Sequence, residues 1–241
     1  MKKILFLICA LIFGLLVATG CDQNSVVKII PFNDSTLVRI MPLGDSITDG
    51  KIQSSDKSGY RRCLYTKLVE AGYQIDFVGS CHTGETDFDT DHEGHPGYTD
   101  QQIAENIIGW LEKNPTDVIL LHIGTNCFDT NPKDVENILN CIDEYEKNHH
   151  CQILVFVARI IDRKNITEKE EVEKFNDNIQ KMVEERIEKG DLLVMVDMES
   201  ALIYPEDMSD NLHPNDNGYQ KMAETWFKEI DNLVKQIKGK N

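Results

Sequence analysis

The sequence predicts an α/β fold: one domain built on a parallel sheet of five strands, with helices on both faces. Three observations predict it. From Leu37 onward, apolar runs of strand length alternate with stretches of helical spacing. Repeated strand–helix units imply right-handed crossovers and parallel pairing. The run Asp117 to Ile123 (DVILLHI) is almost wholly apolar, as a parallel strand covered on both faces must be. The chain has 241 residues, 41% of them hydrophobic, enough for one domain with a full core.

The elements follow in order. Val38 to Leu43 (VRIMPL) reads as a buried strand running into the turn Gly44-Asp45-Ser46. Residues 60–71 have helical spacing, and Gly72 supplies a natural stop. Ile75 to Gly79 is a short second strand, and residues 80–98 form a long polar loop. Thr99 or Asp100 caps a helix reaching Glu112, with Ile103, Ile107, Trp110 and Leu111 on one stripe. The third strand is Asp117 to Ile123. A helix runs from Pro132, in its first turn, to Lys147. Ile153 to Ala158 is the fourth strand, and Glu168 to Lys189 the longest helix, ended by Gly190. Leu192 to Val196 is the fifth strand, and the last helix spans Asn217 to Lys235.

Three short strings fall beyond the carboxyl ends of these strands, where open parallel sheets carry their sites. They are Gly44-Asp45-Ser46-Ile47, Gly124-Thr125-Asn126 and Asp210-Asn211-Leu212-His213. A serine, an asparagine amide and an Asp-x-x-His pair are the parts of a serine esterase. In that reading Ser46 is the nucleophile and His213 its general base. Asp210 holds the imidazole in the right tautomer, and Asn126 donates to the oxyanion. A spacing of three lets one turn bring the Asp210 carboxylate back to His213 Nδ1 while Nε2 faces the serine. Each string alone has a plainer reading: a tight turn, a turn after a buried strand, a helix cap.

With these residues in place, the chain resembles the SGNH (GDSL-type) hydrolases. Ser46 matches their block-one nucleophile, with Ile47 where leucine is usual. Gly97, in His95-Pro96-Gly97-Tyr98-Thr99, matches the block-two glycine, Asn126 the block-three asparagine, and Asp210 and His213 the final block. The strings MPLGDSIT, HEGHPGYTDQQI, LLHIGTN and DNLHPNDNGYQKMA look like carbohydrate esterase family 3, the acetyl xylan esterase branch. The resemblance implies a three-layer αβα sandwich of flavodoxin-like type for residues 37–239. It also implies ester hydrolysis without a metal or other cofactor, on an acetylated carbohydrate, with an oxyanion hole from Ser46, Gly97 and Asn126. Cys127 departs from the family, which usually has Asp after the asparagine.

The first residues read as a targeting signal. Lys2 and Lys3 precede an apolar run from Ile4 to Ala18, and Gly20-Cys21 follows. The run is too short for a transmembrane helix. Val17-Ala18-Thr19-Gly20-Cys21 resembles a bacterial lipobox, with Ala18 where leucine is usual. Residues 1–20 are then a lipoprotein-type signal peptide, Cys21 the lipidated residue, and residues 21–36 a polar tether. The protein is expected to be exported as a bacterial cell-envelope lipoprotein, touching the membrane only through that anchor. The other reading is an ordinary secretory leader, with Cys21 incidental and the protein secreted. The formal charge of -16 repels phosphate and anionic lipid, so nucleic acid is excluded as a partner.

The remaining polar residues have plain readings. Cys63, Cys81, Cys127, Cys141 and Cys151 are odd in number and irregularly spaced, so buried, mostly unpaired thiols are expected. His122 lies inside an apolar strand and reads as a core histidine. His149 and His150 close a polar helix. His82, His92 and His95 share a loop with Asp87, Asp89 and Asp91, which lacks the glycine and the final acid of a calcium loop, so no metal site is assigned. Residues 49–60 and 80–98 are polar, which favours a short acyl group on a polar carrier. Tyr60, Tyr98 and Phe128 lie near the motifs and are candidates for stacking on sugars, with core packing an equally common role for such aromatics. Two alternatives stay open: a lysophospholipase or thioesterase with the same chemistry, and a surface lipoprotein that binds glycan without turnover.

Overall fold

The computed structural model describes residues 32, 36–127, 129–163, 165 and 168–239. The expected leader, Cys21, most of the tether and Phe128 lie outside the described residues. The sheet consists of β1 (Val38–Gly44), β2 (Ile75–Phe77), β3 (Cys81–His82), β4 (Asp91–Gly94), β5 (Val118–His122), β6 (Leu154–Ala158) and β7 (Leu193–Val196). The five expected strands pair in parallel in the order β2-β1-β5-β6-β7. Relabelled by their own sequence, that is 2-1-3-4-5, the flavodoxin-like order.

The alternation along β5 explains its unbroken apolar run. Val118 and Leu120 enter the core on one face, and Ile119 and Leu121 enter the core on the other. The first face is covered by α2 (Arg61–Glu70) and α6 (Asp216–Lys238), whose Leu64, Leu68, Met222 and Trp226 are wholly buried. The second is covered by α3 (Asp100–Lys113), α4 (Lys133–His149) and α5 (Lys169–Lys189). Each such aliphatic side chain contributes about 1.5–3 kcal/mol by leaving water. The helix boundaries lie within a few residues of those expected. Thr99 caps α3 in a capping box with Gln102, and Gly190 ends α5 in the left-handed conformation. Among the described residues no helix is long and apolar enough to cross a membrane.

Residues 80–98 differ from expectation: β3 and β4 form an antiparallel pair there instead of a loop. β4 also pairs in parallel with Leu43–Gly44, just beyond the stretch of β1 that pairs with β2. The string Asp91-His92-Glu93-Gly94 lacks any apolar alternation, which hides it as a strand. It is held by buried polar contacts. His92 Nε2 lies 2.8 Å from Thr83 Oγ1, and the Glu93 carboxylate accepts from the Ser80 N–H at 2.5 Å.

Candidate active site

β1 delivers Ser46 to the carboxyl end of the sheet. Gly44, its last residue, runs so close to β5 that a Cβ there would lie 2.3 Å from the His122 carbonyl oxygen. The chain then turns into α1 (Ser46–Asp49), a single helical turn. Asp45 caps it, its carboxylate accepting the Ile47 N–H at 2.9 Å. Asp45 is fully buried, and burial pushes its carboxyl up to about 6. Arg61 fixes the other end of the turn. Its buried guanidinium donates to the carbonyls of Thr48, Asp49, Thr83 and Thr90 at 2.8–3.0 Å.

The loop after β7 supplies Asp210 and His213. It is pinched by an antiparallel bridge between Met208 and Pro214 and by the Ser209 N–H donating to the His213 carbonyl at 2.9 Å. Ser46 Oγ lies 2.9 Å from His213 Nε2, and His213 Nδ1 lies 2.9 Å from Asp210 Oδ2. Asp210 Oδ1 accepts the N–H groups of Leu212 and His213, both at 2.8 Å. Burial works against the ionised carboxyl, but those N–H groups and the His213 ring outweigh it and hold it below its ordinary range. An ionised Asp210 keeps the proton on Nδ1 and turns the Nε2 lone pair toward the serine hydroxyl.

The turn that carries Gly97 and the loop that carries Asn126 are both tied to the segment leading into Ser46, through Gly44 and Asp45. His95-Pro96-Gly97-Tyr98 is a type II turn: the Tyr98 N–H donates to the His95 carbonyl at 3.1 Å, and Gly97 has φ +82°. A Cβ on Gly97 would meet nothing within 4 Å, so the backbone conformation, not space, requires glycine. Asn126 Nδ2 donates to the Tyr98 carbonyl at 3.0 Å and reaches Asp45 Oδ2 only at 3.5 Å. The longer contact leaves an amide hydrogen weakly held and able to turn to a substrate oxygen. The expected set Ser46, Gly97, Asn126, Asp210 and His213 is therefore brought together. Such an arrangement can activate a serine hydroxyl and stabilise negative charge on a carbonyl oxygen.

Several residues around this set carried no signal in the sequence. Gln53 donates to Asp210 Oδ2 at 2.8 Å and is itself oriented by Ser209, whose hydroxyl donates to Gln53 Oε1 at 3.0 Å. Arg163 donates to the Thr125 carbonyl at 2.7 Å and pairs with Glu168 at 3.1 Å. Asn211 donates to the same Glu168 at 3.3 Å, so one network ties the Asn126 loop to the His213 loop. Gln53 and Arg163 sit in polar loops without a motif, where only the fold reveals their partners. Cys127, the residue after Asn126, interacts with Asp100 at the start of α3.

Other expectations fare variously. Tyr60 is wholly buried, packed against Trp226 with its hydroxyl on Thr48, so it cannot stack on a sugar. Its place at the start of an amphipathic helix made it core. Tyr98 remains half-exposed beside Asn126. The five cysteines are free thiols, but none is fully buried and Cys151 is exposed. His122 is a core histidine, accepting the Ile161 N–H at 3.3 Å, and burial lowers its pKa to about 4. Asp87, Asp89 and Asp91 turn to separate partners: Arg62, the Phe77 N–H and His82. Cys81, Glu93 and His95 bring ligand-type atoms within 4.8 Å of one another. There His95 has Nε2 2.7 Å from Glu93 and Nδ1 3.9 Å from Cys81 Sγ. Burial opposes the charged ring, yet Cys81 and Glu93 push it up to about 9.

The model of the GDSL-like Lipase/Acylhydrolase family matches residues 43–221. A multidomain esterase of Ruminococcus flavefaciens is 29% identical over 231 residues, covering 84% of this chain. The chain spans only 29% of that esterase's length. Among solved structures, a Clostridium thermocellum family 3 carbohydrate esterase superposes with a TM-score of 0.74 at 31% identity, covering 84% of this chain and 99% of the other. An acetyl esterase variant solved with an acetate ion gives a TM-score of 0.69 at 26% identity, covering 83% and 99%.

Proposed function

We propose, from the premise that the chain belongs to the GDSL-like lipase/acylhydrolase family, that it is a serine esterase removing acetyl groups from a carbohydrate. One observation carries the chemistry: the unbroken chain of contacts from Ser46 Oγ through the His213 ring to Asp210, with both links at 2.9 Å. Ser46 Oγ attacks the ester carbonyl, and His213 Nε2 takes its proton. The charge that forms on the carbonyl oxygen is met by Asn126 Nδ2 and by the N–H groups of Gly97 and Ser46. His213 returns the proton to the departing sugar oxygen, which leaves as a hydroxyl, and the acyl group stays on Ser46. Water, deprotonated by His213, then attacks that acyl group, and acetate leaves as Ser46 recovers its proton.

The short acyl group and the carbohydrate carrier are supported by the relatives just described and by the polar loops at the site. Xylan, or a related plant glycan, is the carrier that the sequence resemblance implies. Acetate release across a panel of acetylated glycans, beside an acyl-length series of nitrophenyl esters, tests the reading. Acetyl esters should be turned over far faster than octanoyl esters, with acetate released from at least one xylan-type substrate. A preference for eight carbons or more would favour a lysophospholipase or thioesterase.

The anchor belongs to the same reading. Lipidation of Cys21 would hold the enzyme at the bacterial surface, where several acyl chains on one terminus bind stably. Incorporation of a labelled fatty acid, abolished by Cys21→Ser, supports it. A mature N-terminus other than Cys21 would make the leader an ordinary secretory signal.

A further inference from the structure

We infer that His95 is a positioning residue for the oxyanion hole, holding the turn that presents the Gly97 N–H and the Tyr98 carbonyl. The inference rests on the esterase reading. His95 opens that turn and is tied down on every side. Its backbone N–H donates to the Gly44 carbonyl at 2.9 Å, two residues before Ser46. Its Nε2 lies 2.7 Å from the carboxylate of Glu93, which is fully buried and also accepts from Ser80 N and Oγ. Its ring stacks on Trp110 at 4.3 Å and 9°, and against Tyr98 at 4.8 Å and 26°.

The energetic logic runs through Glu93. A buried carboxylate needs a compensating charge, and His95 is the cation that reaches it. An imidazolium also stacks more favourably than neutral imidazole on the electron-rich face of Trp110. Both contacts therefore grip the turn harder while the ring is charged. The turn in turn grips Asn126, because the Tyr98 carbonyl takes its amide at 3.0 Å. Displacing this turn moves two of the three oxyanion donors at once. The groups facing His95 are Glu93 and His92 on β4, Cys81 on β3, and the rings of Tyr98 and Trp110. His92 is buried, and burial with the nearby Arg61 charge lowers it to about 2, so it adds no competing cation. With Cys81 and Glu93 against it, His95 titrates at about 9. The grip is thus present at neutral pH and is lost as the pH rises through that value.

The test is kcat and KM for 4-nitrophenyl acetate from pH 6 to 10, on the full chain, for wild type and His95→Gln, with melting temperatures alongside. At neutral pH the variant should lose roughly tenfold in kcat, a fraction of what deleting one oxyanion donor costs, with KM nearly unchanged. Wild-type kcat should fall as the pH rises through about 9, and the variant should lack that fall. Wild-type kcat in the variant, or a change confined to KM, would overturn the inference. If the variant does not fold, the wild-type profile decides alone: kcat constant through pH 10 overturns it. A wild-type protein with no acetyl esterase activity at any pH would instead sink the esterase reading.

Discussion

Gln53 Nε2 donates at 2.8 Å to Asp210 Oδ2, the same oxygen that lies 2.9 Å from His213 Nδ1. The loop after the nucleophile thus reaches across to steady the acid that steadies the base. Asp210 keeps its two backbone N–H donors without Gln53, so the loss should be partial. Gln53→Leu should lower kcat about 3–10-fold, the effect of one hydrogen bond near 1 kcal/mol, with KM little altered. Steady-state kinetics on an acetyl ester check it.

Asp45 sets stability against function. Its carboxyl is raised by burial to about 6, above the ordinary carboxylate value, so the folded state holds the proton more tightly than the unfolded one. The stability this confers is fully present below about pH 4 and is lost as the pH rises through about 6. Asp45→Asn keeps an oxygen for the Ile47 N–H and carries no buried charge. It should melt higher than wild type at pH 8, and the gap should close toward pH 4. Its activity should fall, because an amide nitrogen can replace the oxygen that faces Asn126. Thermal melts across pH, with kcat beside them, measure both effects.

Asn126→Ala removes an oxyanion donor and should lower kcat about 10²–10³-fold, with a smaller change in KM. The amide acts mainly when charge reaches the carbonyl oxygen. An effect on KM alone would make Asn126 a substrate-binding residue.

Most of this site was legible in the sequence because its chemistry needs particular residue types at the ends of recognisable strands. Ser46, Asn126 and the Asp210–His213 pair each follow a strand or lie in the loop after one. Gly97 was legible only through the family resemblance, although proline then glycine suits the two central positions of its type II turn. β4 was not legible, because its polar residues are satisfied by partners such as Ser80 and Thr83 that only the folded chain brings near. Tyr60 could not be settled for the opposite reason: closeness to Ser46 in sequence says nothing of the face a helix buries, and the fold makes it core. Gln53 and Arg163 escaped because a polar residue in a loop has no period.

The central claim is that Ser46 and His213 act as one catalytic unit. Its most direct test is the hydrolysis rate of a small acetyl ester by wild type, Ser46→Ala, His213→Ala and the double variant. Each single change should remove nearly all activity, and the double variant should be no worse than either, because a serine without its base and a base without its serine are equally idle. Substantial activity in Ser46→Ala, or losses that multiply in the double variant, would contradict it.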